Sequence, residues 1–140
     1  MTNFTTRLMV AAATLVAAAG AASAQTMKAE IPFTFRANGK VMTAGTYEVT
    51  LSHGMPLLYL RSNDGNHAAI VAAQAPHDAP KPWRAAGGPV LSFECGNSLC
   101  SLAGVWSGGD KPAYNFAKPK LGKDEPTRMA LVALLPEKGD

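Results

Sequence analysis

The sequence predicts a small all-β protein, a sandwich or barrel of seven to eight mostly antiparallel strands behind an N-terminal signal helix. Three observations predict it. Asn38-Gly39 and Asp64-Gly65 stand between alternating apolar segments, and such pairs supply the backbone angles that tight hairpin turns demand. Thirteen glycines and ten prolines break the 140 residues at short spacing, leaving room for strands of ordinary length but few long helices. No stretch after residue 24 carries the 3.6-residue apolar repeat of an amphipathic helix.

The first 24 residues read as a signal peptide. Arg7 supplies a positive n-region, residues 8–19 form an apolar run of Ala, Val and Leu, and Ala22-Ser23-Ala24 is a small-x-small cleavage box before Gln25. The run is too short and too rich in alanine to favour a membrane anchor, and no cysteine follows the box to suggest lipidation. Residues 25–140 are expected to be one β-rich domain, periplasmic or secreted, with no transmembrane anchor after processing. The chain's net charge of +3 falls to +2 once Arg7 leaves, too small an excess to argue for nucleic acid.

Taken in order, residues 28–36 alternate with Ile31, Phe33 and Phe35 on one face, and Pro32 marks an edge strand or a strand start. Asn38-Gly39 turns the chain back so that Met42 faces Phe35. After a break at Ala44-Gly45, Tyr47, Val49 and Leu51 alternate with Glu48, Thr50 and Ser52, giving one wet face. His53-Gly54 breaks the chain again. A turn at Asp64-Gly65 then pairs Tyr59 with Ile70, Leu57 with Ala72, Leu58 with Val71 and Leu60 with Ala69. Both faces of that hairpin are apolar, which places it centrally or along a closed barrel with one face covered. Residues 74–89 hold four prolines, which argues against helix and central strand and for a long surface loop. Residues 90–107 form a hairpin and residues 108–127 are irregular; residues 128–135 have the composition of a short helix or a closing strand, and their length argues for strand.

Cys95 and Cys100 fit neither a zinc site nor a two-residue redox motif. In a hairpin with a four-residue loop they face one another, with Phe93 opposite Leu102 and Leu91 opposite Gly104. A structural disulfide is the expected outcome in an exported chain.

The pattern Ile31-Pro32-Phe33-x-Phe35, Gly39-Lys40, Ala44-Gly45-x-Tyr47-x-Val49 resembles a group of small exported bacterial proteins, as does Leu60-Arg61-Ser62-x-Asp64-Gly65. Thr43 stands where those proteins usually have proline, and they commonly lack the cysteine pair. The resemblance covers about the first half of the mature chain. It implies export and a β fold, and it brings no activity and no site residues.

Chemistry is sparse. His53, His67 and His77 all fall at turns or loops, and no serine sits in a hydrolase elbow. The His53-x-Met55 unit with Met42 nearby is the closest approach to a copper site; further ligands are lacking, and Met42 reads as core. No metal and no cofactor is expected. The loops are better candidates, since Lys81, Trp83 and Arg84 set a ring between cations, and Tyr114 and Phe116 lie among Lys111, Lys118, Lys120 and Lys123. Such residues suit a protein or carbohydrate partner of the cell envelope, unless the rings fold back to cover the sheet ends. The expected role is therefore a non-catalytic binding or structural protein. The alternatives are a carrier with an apolar cavity lined by Phe33, Phe35, Tyr59 and Trp106, and, more remotely, an envelope hydrolase.

Overall fold

The computed structural model describes residues 24–52, 55–97, 99–117 and 127–136. Residues 1–23 of the expected signal peptide, His53, Gly54 and Lys118, Lys120 and Lys123 lie outside the described residues. Among the described residues ten strands form one sheet: β1 (Ala24–Ile31), β2 (Phe35–Ala37), β3 (Lys40–Met42), β4 (Gly45–Ser52), β5 (Leu57–Ser62), β6 (Ala68–Ala72), β7 (Val90–Cys95), β8 (Cys100–Trp106), β9 (Ala113–Asn115) and β10 (Arg128–Pro136). Their order is β3-β2-β8-β7-β10-β1-β4-β5-β6, with β9 also on β8. The count exceeds seven or eight for two reasons. Pro32 and the two residues after it split the expected 28–36 strand into β1 and β2, and β9 forms in the stretch read as irregular. Pro32 thus ends a strand that lies between β10 and β4, and the expected edge position is corrected.

The local turn chemistry is reproduced residue by residue. Asn38 and Gly39 take φ of 50° and 78°, and Phe35 pairs with Met42 across the turn. All four expected pairs of the β5–β6 hairpin are in register. Its turn is locked by side chains: the Ser62 hydroxyl donates to Asp64 Oδ1 at 2.6 Å, and the Asn66 amide donates to the same oxygen at 2.9 Å. The hairpin is not central, however. β6 ends the sheet, and Tyr59 and Ile70 are 39% and 54% exposed on its outer face.

The sheet curls into a nearly closed barrel because both ends of β8's free edge reach towards β6. At one end β2 runs parallel to β8, with Phe35 beside Cys100. The β2–β3 turn then caps β6 with side chains, as Asn38 Nδ2 donates to the Ile70 carbonyl at 3.1 Å and Lys40 Nζ to the Ala68 carbonyl at 3.4 Å. Occupying outward carbonyls in this way blunts an edge that would otherwise template pairing with another chain. At the other end β9 pairs with β8 and also with the chain after β6, through the Gln74 amide to the Asn115 carbonyl at 2.9 Å and mutual bonds of His77 with Ala113.

The barrel interior is filled. Phe35 and Phe93 meet edge to face at 5.3 Å, Phe33 packs on Phe93 at 5.0 Å, and Phe35 on Tyr47 at 5.4 Å, the offset geometry that aromatic quadrupoles favour. Met27, Val49, Leu51, Leu58, Leu60, Leu91 and Val105 complete this core. The four residues expected to line a carrier cavity do not converge: Phe33 and Phe35 are packed, Tyr59 faces outward, and Trp106 belongs to a second cluster outside the barrel.

The Cys95–Cys100 disulfide ties β7 to β8, as expected. Phe93 also faces Leu102, but the expected Leu91–Gly104 pair is corrected: a bulge between Ser92 and Phe93 shifts the register, so Leu91 faces Val105 and Ser92 faces Gly104.

Candidate functional site

The second cluster builds the site. β7 sends Leu91, Phe93 and Cys95 into the barrel core, while on its other face Val90 joins Ala79, Trp83, Trp106 and Ala113 on the outside, next to Ser92 and Glu94. What covers that outer face is a short helix, α1 (Lys81–Ala85), inside the proline-rich loop. The expectation of no helix there is corrected. Pro80 caps the helix in an extended conformation and Pro82 lies in its first turn, where a missing N–H leaves no helical bond unmade.

Trp83 is the fastening. It is 3% exposed and sets the benzo part of its ring against Gly104, where any Cβ would collide with that ring and come within 2.8 Å of the Tyr114 carbonyl oxygen. Glycine is required here for close approach, a common meaning of an isolated glycine within a strand. Trp83 Nε1 is buried without a hydrogen-bond partner, as is Nε2 of His77, whose ring lies 6.1 Å from that of Trp83. The His77 Nδ1 donates to the Asp78 carbonyl at 2.7 Å.

The rings singled out in the sequence therefore turn inward. Trp83, Tyr114 and Phe116 are 3%, 8% and 2% exposed, which matches the folding-back alternative rather than a set of protruding anchors. Lys81 and Arg84 stay exposed on α1. The structure also separates Trp83 from Arg84. Trp83 lines a cleft of about 730 Å³, whereas Arg84 lines a second one of about 450 Å³ with Asp78, Asp110 and Lys111. In the second cleft Trp106 Nε1 donates to the Lys111 carbonyl at 2.9 Å, fixing the 108–112 turn.

The larger cleft lies over the outer face of β10, β7 and β8. Cross-strand rows set its floor: Glu94 stands between Met129 and Ser101, and Ser92 between Leu131 and Gly104. Trp83, Pro80 and Phe116 wall one side, Gln74 and Asn115 contribute amides, and Thr127 and Arg128 border the other side. The lining thus combines a packed aromatic wall with a carboxylate, a guanidinium, two hydroxyls and two amides. Because the strands beneath are covered on their inner face by the barrel core, these groups stand on a rigid base. Sequence reading missed Gln74, Ser92, Glu94, Asn115 and Arg128. The available signals were a glycine inside β8 and, in β10, apolar residues on both faces.

Other candidate chemistry dissolves into structure. Ser62, Asp64 and His67 are neighbours, but the serine hydroxyl is engaged by the carboxylate and accepts the His67 backbone amide at 2.9 Å. No imidazole stands between hydroxyl and acid, as nucleophile activation needs. The Ser62 hydroxyl bond, followed by the Asn66 amide, holds the Asp64 carboxyl below its usual range. Burial pushes the Tyr47 phenol up, against its 2.7 Å bond to the Thr43 carbonyl. Met42 is buried opposite Phe35 while Met55 is exposed, and among the described residues no group of three His, Cys, Asp or Glu could hold a metal. No described helix is long and apolar enough to cross a membrane.

Comparison of the chain with protein-family models, with curated proteins and with solved structures gives no match.

Proposed function

We propose that this chain is an exported, non-catalytic binding protein, released by cleavage after Ala24, that holds a polar ligand in the cleft beside Trp83. The observation that carries the reading is the cleft itself. Its volume of about 730 Å³ lies within the range of small-ligand sites, and its polar groups converge from β7, β9, β10 and the loop ahead of α1. Neutral hydrogen-bonding side chains (Gln74, Ser92, Asn115 and Thr127) outnumber the charged pair Glu94 and Arg128 in that lining, so a short glycan chain of the cell envelope is the best chemical fit. Export is supported by the leader pattern, by the disulfide and by the resemblance in the first half of the mature chain.

The test uses Trp83 as reporter. The chain has two tryptophans, so Trp106→Phe leaves Trp83 alone. Titration of that protein with soluble glycan fragments released from the envelope should give a saturable emission change, abolished by adding Gln74→Ala and Asn115→Ala. No saturable change with any fragment refutes the reading.

A further inference from the structure

We propose that the mature N-terminus is chemically closed, with Gln25 cyclised to pyroglutamate. The inference rests on the processing after Ala24 proposed above. Cleavage at Ala22-Ser23-Ala24 makes Gln25 the first residue, and an N-terminal glutamine is the residue whose own side-chain amide lies one five-membered ring from its α-amine.

The position of Gln25 in the sheet gives that closure a physical reason. β1 begins at Ala24, with Ala24 paired to Ser52 and Gln25 to Leu51, so the scissile bond falls inside the β1–β4 ladder. A bond held in a ladder does not fit a peptidase, so cleavage precedes pairing of these first residues. The released α-amine then has to join the sheet opposite buried Leu51 and two residues before buried Met27. An ammonium beside a packed core is costly unless it is solvated or paired. The lactam removes the charge and retains one N–H donor.

The step balances without a co-reactant. The unprotonated α-amine nitrogen attacks the side-chain carbonyl carbon Cδ, the new N–Cδ bond forms and the Cδ–Nε2 bond breaks. The departing nitrogen takes the proton shed by the α-amine and leaves as ammonia. The product has one fewer positive charge and no free amine for an aminopeptidase to grip.

The full chain, expressed with its leader in an exporting bacterium and quenched in acid at harvest, provides the test by tandem mass spectrometry of the N-terminal peptide. The expected peptide begins at residue 25, is lighter than the open form by one ammonia (about 17 Da) and resists aminopeptidase. A Gln25→Ser variant should keep its amine and be trimmed. A peptide beginning at Gln25 with its full mass overturns cyclisation and leaves the processing standing. A peptide that begins at another residue overturns both.

Discussion

Replacing Trp83 by alanine removes the side chain that fastens residues 74–89 to the outer sheet face and walls the larger cleft. A buried tryptophan withdraws about 200 Å² from water, worth about 5 kcal/mol at about 25 cal/mol per Å². The unpartnered Nε1 offsets about 1–3 kcal/mol of that. The expected cost of Trp83→Ala is therefore about 2–4 kcal/mol, in line with other large aromatic truncations. Trp83→Phe keeps most of the apolar area and deletes the orphan donor, so it should fall within about 1 kcal/mol of the parent. Equilibrium urea unfolding measures both, with an unchanged m-value required before the midpoints are compared. If alanine costs less than about 1 kcal/mol, or phenylalanine costs as much as alanine, Trp83 does not hold this face by burial.

Gly104→Ala should cost about 1–3 kcal/mol by forcing the Trp83 ring off the sheet, whereas alanine at an unobstructed strand position would be neutral or stabilising; thermal unfolding distinguishes the two. Replacing both Cys95 and Cys100 by serine should cost about 2 kcal/mol or less, because the closed loop is short; a loss above about 4 kcal/mol would mean the bridge does more than tie the β7–β8 turn. The depressed Asp64 carboxyl contributes stability that is present above its unfolded value of 3.8 and is lost as pH falls through its lower folded value. Asp64→Asn should flatten the stability profile in that acid window and, because the Asp64 charge helps to raise the Tyr47 phenol, lessen the alkaline slope without removing it. At the other end, the raised Tyr47 phenol makes stability fall as pH rises above 10, and Tyr47→Phe should remove that slope.

Local signals were the most legible part of the sequence. Asn38-Gly39 fixed its hairpin register and Asp64-Gly65 fixed that of β5 and β6, because turn geometry sets which residues face each other. The Cys95–Cys100 hairpin was readable only as far as Phe93, since the bulge beyond it answers to packing outside the hairpin: with the register slipped, Gly104 rather than a larger side chain lies beneath Trp83. Of the two placements open to the β5–β6 hairpin, the barrel wall with one face covered is the observed one; that Tyr59 and Ile70 form the bare face was not legible, because alternation cannot say which of two apolar faces receives a neighbour. The same ambiguity hid the site. Proline density identified residues 74–89 as irregular, yet whether Trp83 faces water or the sheet depends on a strand twenty residues on that leaves room for it.

The most direct measurement of the central claim is amide NMR of the ¹⁵N-labelled mature protein titrated with envelope-derived glycan fragments. The account predicts saturable shifts centred on Gln74, Ser92, Glu94, Asn115 and Thr127, the residues that converge beside Trp83. Shifts confined to the Tyr59–Ile70 face of β5 and β6, with the Trp83 side silent, would contradict it.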